Sequence, residues 1–216
     1  MTELCLLAEK HRSDKCPKIL HSYTPEYHRL LNHLRDSAKM VLEVGIGFND
    51  LMRPIAGSLY RPGASLRMWR DYFYNAQVIG CDIRKESFCD EHRVRCLLVD
   101  QSDYTSLASM RSYLQLEFKY ADVIIDDGSH VPEHMVLTFK TLWPLVRDDG
   151  FYIIEDIRAS DLRYFERLPI LIGIPDCQLV YSHKGNNTWD SFVAFKKVNK
   201  QMALLEKDLG KLFIGS

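Results

Sequence analysis

Short apolar runs that stop at a glycine or an acid alternate with stretches whose apolar residues recur every three or four positions, from residue 40 to residue 156. Met40-Val41-Leu42-Glu43-Val44 enters Gly45-Ile46-Gly47, Gln77 to Cys81 ends in Asp82, and Arg93 to Val99 ends in Asp100. Asp122-Val123-Ile124-Ile125 ends in Asp126-Asp127, and Phe151-Tyr152-Ile153-Ile154 in Glu155-Asp156. Residues 65–73, 104–118 and 132–146 read as helices, with Leu66, Trp69 and Phe73 on one face of the first and Ser65 as its cap. Strands alternating with helices predict a parallel sheet with right-handed crossovers. Before it, Thr24-Pro25-Glu26 predicts a helix start by a hydroxyl cap, a proline in the first turn and an acid near the positive end. That helix runs over 25–36, with Tyr27, Leu30, Leu31 and Leu34 on its buried face.

Residues 1–24 read as polar and irregular, and Pro54, Gly57, Pro62 and Gly63 break 48–64 into an inserted loop. After Asp156, residues 178–182 and 191–196 read as strands joined by a Lys184-Gly185-Asn186-Asn187 turn, a hairpin at the far edge of the sheet. A last helix is expected in 199–216. The pattern gives an α/β fold: a doubly wound, mostly parallel sheet of about seven strands with a C-terminal antiparallel hairpin. Residues 1–39 form an N-terminal helical segment and 40–216 a single domain.

Composition narrows the possibilities. A chain of 216 residues suits one domain with a full core. Twenty-eight basic residues against 29 acidic ones leave a net charge of −1, so no bulk charge draws the protein to nucleic acid or to an anionic membrane. Six cysteines without paired or zinc-like spacing read as thiols of a reducing compartment. The Leu4–Ala8 patch, flanked by Glu3 and Glu9, is too short and too acidic for a secretory signal, and no apolar run approaches a membrane span. A cytoplasmic protein is expected, with no nucleic-acid or membrane partner and with homo-oligomerisation left open.

The strand tips carry the chemistry. An acid ending the second strand, Asp82, can accept both hydroxyls of a ribose. A nicotinamide dinucleotide could own that ribose, but Asp50 stands where the third glycine of Gly-x-Gly-x-x-Gly is needed, and a pyrophosphate would meet negative charge there. S-adenosylmethionine, with a sulfonium, an ammonium and no phosphate, suits the acidic edge better. If the fourth and fifth strands are neighbours, their tips lie about 5 Å apart. Their carboxylates would repel one another unless a hard divalent cation such as Mg²⁺ sits between them. Strand alternation turns Asp126 to the opposite face from Asp127. His130, three residues beyond Asp127, could take a proton at neutral pH. His134, Met68 and Trp69 read as solvated or core residues.

Val41 to Gly47, Gly63 to Trp69, Asp100-Gln101-Ser102-Asp103, Ile124 to His130 and Ile154-Glu155-Asp156 together resemble class I S-adenosylmethionine-dependent methyltransferases. More narrowly, residues 13–157, including Asp14-Lys15 and His21-x-Tyr23-Thr24-Pro25-x-Tyr27, resemble the metal-dependent sugar O-methyltransferases that modify deoxysugars of macrolides and related glycosides. The resemblance implies a Rossmann-like fold and Mg²⁺-assisted methylation of a hydroxyl on a sugar-containing acceptor, such as rhamnose within a glycan or glycoside. It implies that Asp127, Glu155 and Asp156 hold Mg²⁺ and that His130 is the general base. Glu43, Gly45, Gly47, Asp82 and Asp100 would surround S-adenosylmethionine, with Gln101 and Ser102 near its adenine and Tyr23 closing over it. His183 and Trp189 could reach the acceptor sugar. A catechol-like or other vicinal diol would suit the same chemistry, and a cofactor-binding scaffold without turnover is the reading of another class.

Overall fold

The structure is a computed structural model that describes residues 1–185 and 188–198. Two helices, α1 (Glu3–His11) and α2 (Tyr23–Leu31), precede β1 (Met40–Val44), α3 (Asn49–Ala56), α4 (Ala64–Tyr72) and β2 (Gln77–Asp82). Then follow β3 (Val94–Leu98), α5 (Tyr104–Phe118), β4 (Ala121–Asp126), α6 (Pro132–Leu142) and β5 (Val146–Ile154). Two short helices, α7 (Leu162–Glu166) and α8 (Leu168–Leu171), lead to the hairpin of β6 (Cys177–Lys184) and β7 (Ser191–Lys197).

The seven strands lie in the order β3-β2-β1-β4-β5-β7-β6. β1 to β5 are mutually parallel, and β7 runs antiparallel between β5 and β6. The order reverses between β1 and β4, which opens a crevice at the carboxyl ends of the strands. Register keeps those ends level: Val44 pairs with Cys81 and with Asp126, and Asp126 with Ile154. Consequently Gly45, Asp82, Asp127 and Glu155 all emerge along one edge.

Alternation along the strands splits the core in two. Val41, Val78, Val123, Ile125 and Ile153 face a layer containing residues of α1, α2 and α4, and Leu42, Ile79, Ile124, Tyr152 and Ile154 face one containing α5, α6 and α7. All these strand residues are fully buried. Each such aliphatic side chain contributes about 1.5–3 kcal/mol.

Several local expectations change. Residues 3–11, read as irregular, form α1, which the Thr2 hydroxyl caps by accepting from the Cys5 N–H at 3.3 Å. Its apolar face is only Leu4, Cys5 and Ala8, too small a stripe to stand out in the sequence. Residues 48–64 contain α3, with Pro54 inside it, and not loop alone. Thr24 does not cap α2, which begins one residue before it; its buried hydroxyl donates to Cys5 Sγ at 3.3 Å. Ser65 does not cap α4 either, because its hydroxyl donates to buried Glu43 at 2.7 Å and Gly63, in the left-handed region, precedes the helix. The six cysteines are free, and among the described residues no helix is long and apolar enough to cross a membrane. The helix expected over 199–216 and Asn186-Asn187 of the expected turn lie outside the described residues.

α1 packs on α4, and Asp71 joins them. Its carboxylate receives His11 Nε2 at 2.7 Å, Arg70 Nη2 at 2.8 Å and Lys10 Nζ at 3.0 Å. Burial raises the Asp71 pKa, but the bonds from His11, Arg70 and Lys10 outweigh it and hold the carboxyl well below its ordinary value of 3.8. A depressed carboxylate contributes stability that is present above the unfolded-state value and lost as pH falls through the folded one. Asp71→Asn is therefore expected to lower stability by about 1–2 kcal/mol at pH 7, with the gap to the parent closing below about pH 4. Urea denaturation at pH 7 and pH 3 reads this; an equal gap at both would show that the charge is not what joins the helices.

Candidate active site

The crevice is a cavity of about 480 Å³ at the strand tips, within the range of small-ligand sites. Of the residues assigned to the cofactor, Gly45, Gly47, Asp82, Asp100, Gln101 and Ser102 line it, while Glu43 and Tyr23 do not. Backbone amides hold Asp82 in place: Ile46 N–H donates to Oδ2 at 3.0 Å and Arg84 N–H to Oδ1 at 2.8 Å. Each of its oxygens has a second lone pair beyond the one these amides use, and Asp82 lines the cavity. Asp100 accepts from the Ser102 N–H and hydroxyl, at 2.8 and 2.6 Å. Gln101 braces the β4 tip: its amide nitrogen donates to Asp126 at 2.5 Å, and its oxygen accepts from the Ser129 N–H at 2.8 Å.

Asp126 is fully buried under that brace, and burial pushes its pKa up to about 8. Asp127 turns the other way, into the cavity. Two continuations of the sheet ladder hold the tips, from Asp127 N–H to the Val44 carbonyl and from Glu155 N–H to the Asp126 carbonyl, at 2.8 and 2.9 Å. Gly45 makes the first possible. Its φ is +90°, and a Cβ there would lie 1.9 Å from the Asp127 carbonyl oxygen.

Beyond the ladder, His130 and Asp156 both adopt left-handed backbone, with φ of 54° and 49°. That conformation is costly for residues with a Cβ and aims both side chains into the cavity. His130 Nε2 lies 4.0 Å from an oxygen of Asp127 and 4.0 Å from one of Asp156. Asp127, His130 and Asp156 offer ligand atoms within 4.8 Å of one another, the one such group among the described residues. His130 Nδ1 is buried without a hydrogen-bond partner among those residues. Burial and repulsion by Asp127 push Asp156 up to about 6.

Glu155, assigned to the same metal, faces elsewhere. It is buried, and its oxygens receive Lys15 Nζ at 2.5 Å and the Tyr27 hydroxyl at 2.7 Å. Lys15, only 1 % exposed, also reaches Asp127 Oδ2 at 2.5 Å and Glu43 Oε1 at 3.3 Å. Burial would lower the Lys15 pKa, but attraction to Asp127, Glu155, Glu43 and Asp14 holds it well above 10.5. Burial raises Glu43 to about 7 despite that partner. The N-terminal segment grips Asp156 as well: the Tyr23 hydroxyl donates to it at 2.7 Å, and His21 Nε2 lies 3.6 Å away with Nδ1 3.0 Å from Asp190. Tyr23 thus supports an acid of the Asp127–His130–Asp156 group. His183 stacks on Phe192 within the aromatic packing, whereas the Trp189 ring lies 6.4 Å from that of His130 with Arg158 4.4 Å above it.

Lys15 and His21 stand in the sequence within the family-like entry segment, where nothing local gives either a role. The available signal was the surplus of acids at the tips, which calls for a buried cation.

Seven strands in this order, glycines after β1, an acid ending β2 and a crevice between β1 and β4 make this the α/β fold of methyltransferases. No family model matches the chain. It is 40 % identical over 154 residues to the 8-demethyl-8-alpha-L-rhamnosyl tetracenomycin-C 2'-O-methyltransferase of Streptomyces olivaceus, a match covering 71 % of this chain and 37 % of that enzyme. With the demethylmacrocin O-methyltransferase of Streptomyces fradiae it shares 37 % identity over 138 residues, 64 % of this chain and 32 % of that one. The MycE methyltransferase of the mycinamycin pathway, solved with Mg and SAH, superposes with a TM-score of 0.70 at 27 % identity, covering 92 % of this chain and 55 % of MycE. In complex with mycinamycin VI as well, it gives 0.69 at 29 %. The chain resembles these methyltransferases over most of its length, and it spans about a third of the two Streptomyces enzymes and about half of MycE.

Gly45→Ala is expected to cost about 2 kcal/mol or more, because a Cβ must take the left-handed backbone and displace the Asp127 carbonyl. Chemical denaturation of the variant tests this, and a stability equal to the parent's would mean that the β4 tip can move aside freely.

Proposed function

We propose that the chain transfers a methyl group from S-adenosylmethionine to a hydroxyl of a sugar-containing acceptor with the aid of a divalent cation. The observation that carries this reading is that one cavity is lined both by the ribose-accepting edge, Gly47 and Asp82, and by Asp127, His130 and Asp156. The names of the relatives support it, since they specify O-methylation of rhamnosyl and other sugar-bearing compounds, and so do the Mg and SAH of the MycE complexes.

The donor set fits a hard cation. Asp127 and Asp156 offer carboxylate oxygens at one mouth of the cavity and would hold Mg²⁺, which commonly takes one or two carboxylates and fills its remaining positions with water and substrate oxygens. When bound, the cation supplies Lewis acidity that lowers the pKa of a sugar hydroxyl. His130 accepts the hydroxyl's proton at Nε2, the ring atom turned toward both carboxylates. Asp82 orients the donor through its ribose, and Gly47, where a Cβ would meet Met52 and Tyr60 at 3.0 Å, presents bare backbone to the cavity. A deoxyhexose such as rhamnose, carried on a glycoside, is the acceptor class.

The test is transfer of labelled methyl from S-adenosylmethionine to a panel of rhamnosyl and other deoxyhexosyl glycosides, with catechols as the competing acceptor class. Activity is expected with Mg²⁺ and should vanish with excess chelator. His130→Gln should lower kcat by about 10²–10⁴-fold while binding of S-adenosylhomocysteine, read by calorimetry, stays close to the parent's. Turnover that survives chelator, or an undiminished rate in Asp127→Asn, would sink the cation-assisted mechanism.

A further inference from the structure

We propose that Cys89 and Cys96 form a reversible disulfide when the protein meets a hydroperoxide, and that the state of this pair sets how firmly the start of α4 is held beside the donor half of the cavity. The crosslink is independent of the function proposed above; its effect on the donor rests on that reading.

The turn between β2 and β3 brings the two thiols together. Glu91 and Val94 form an antiparallel bridge, each N–H donating to the other's carbonyl at 3.0 and 2.9 Å, and Arg93 reverses the chain with a φ of 58°. In a ladder continued from such a bridge, the residue two positions before it lies opposite the residue two positions after it, and these are Cys89 and Cys96. Their sulfurs are 3.9 Å apart, and the Cys89 N–H donates to Cys96 Sγ at 3.2 Å. Hydrogen bonding from Cys89 holds the Cys96 pKa below the ordinary thiol value of 9.0 despite burial, which favours the reactive thiolate. Among the described residues no other two thiols make such a contact.

A disulfide holds its sulfurs about 2 Å apart, so one of them must move by about 2 Å. Cys96 is buried and fixed in β3 opposite Gly80 of β2, whereas Cys89 is half-buried in the loop, so Cys89 is the one that moves. In the thiol state Cys89 Sγ rests on Gly63, where a Cβ would lie 1.9 Å from it. Gly63 precedes α4 in left-handed backbone, and Ser65, two residues on, lines the cavity and donates to Glu43 at 2.7 Å. The rest of the turn is tied to the body and end of α4. Glu91 pairs with Arg67 and Arg70 at 2.7 and 2.9 Å, and Arg93 donates to the carbonyls of Arg70, Phe73 and Ala76 at 2.9 Å. Drawing Cys89 to Cys96 therefore takes the sulfur off Gly63 while the remainder of the turn stays anchored, and the start of α4 loses its support.

The step balances on the two thiols and the peroxide. A thiolate of the pair attacks one peroxide oxygen, the O–O bond breaks and hydroxide leaves. The second sulfur attacks the resulting sulfenic acid and expels its oxygen as water. Both sulfurs are oxidised, both oxygens of hydrogen peroxide are reduced to water, and the two thiol protons end in that water. A small thiol reverses the crosslink by exchange.

The test treats the reduced full chain with hydrogen peroxide, removes the excess with catalase and alkylates the thiols under denaturing conditions. Four of the six thiols are expected to stay open to alkylation, and all six after dithiothreitol. Trypsin cuts after Arg93 and Arg95, so the crosslink reads as the peptide 86–93 joined to 96–111. Hydrogen exchange across 64–72, where the Arg67 N–H donates to the Gly63 carbonyl at 3.0 Å, should quicken about five-fold or more in the oxidised parent. It should not change in peroxide-treated Cys89→Ser. S-adenosylhomocysteine, titrated by calorimetry, should bind about five-fold more weakly to the oxidised parent than to the reduced one. Six open thiols after peroxide, thiols lost to a form that dithiothreitol does not restore, or a crosslink between other cysteines overturns the inference. So does a crosslink with unchanged exchange, or with S-adenosylhomocysteine bound equally in the two states. A crosslink with faster exchange in a protein that binds no S-adenosylhomocysteine in either state supports the inference and removes the donor reading instead.

Discussion

Mutual repulsion of carboxylates at one edge of the sheet is the constraint to which the rest of the molecule answers. The parallel register keeps the tips of β1, β4 and β5 level, so Glu43, Asp127, Glu155 and Asp156 cannot spread apart without breaking the sheet. Like charges this close in a poorly hydrated site must be neutralised by protons, by a cation or by strong donors. All three means are visible. Lys15 lies among three of the acids, Tyr23, Tyr27 and Ser65 donate hydroxyl hydrogens to Asp156, Glu155 and Glu43, and burial raises Glu43 and Asp156 to about 7 and 6. The N-terminal segment is consequently part of the core and the site. Its cation and two phenols enter between the strand tips, while Leu4, Ala8, Tyr23, Tyr27 and Leu31 join the layer over that face of the sheet.

Two of the six non-glycine residues with positive φ among the described residues, His130 and Asp156, line the cavity. His130 and Asp156 each hold a left-handed conformation that costs about 1–3 kcal/mol when surrounding contacts do not enforce it. Here they are enforced. Gln101 ties Ser129 to Asp126 beneath the His130 turn, the ladder bond from Glu155 to Asp126 fixes the chain before Asp156, and Gly45 leaves room for the Asp127 carbonyl. Gln101 lines the cavity, yet both ends of its amide are used inside the protein.

The order and type of the strands were legible because a buried parallel strand and an amphipathic helix leave different periods in the sequence, and acids or glycines mark the tips. The hairpin was legible from its turn residues and alternation. Orientation at the tips was not. Glu155 and Asp156 are adjacent and chemically alike, but the left-handed turn at Asp156 sends them to opposite neighbourhoods, and nothing in a pair of acids announces that turn. Ser65 and Thr24 misled for a related reason: a hydroxyl at a helix start ordinarily caps it, whereas a buried carboxylate or thiol nearby is a partner that only the tertiary fold supplies. Lys15 stood in a polar stretch without periodicity, and its partners lie 28 to 140 residues away in the chain.

These differences divide the cavity into two unlike halves. The half bearing Gly47, Asp82 and Asp100 is built from the end of β2 and the loops directly after β1 and β3, where each residue is positioned by its own or the preceding strand and local pattern suffices to place it. The other half is assembled at long range. Asp127 and His130 come from the β4 tip, Asp156 from the β5 tip, Lys15, His21 and Tyr23 from the N-terminal segment, and Asp190 with Trp189 from the residues before β7. A side chain in that half can change its role when a partner more than a hundred residues away is altered. Trp189, Arg158 and His21 accordingly sit on segments that the sheet positions but does not specify, so their arrangement depends on contacts between residues far apart in the chain.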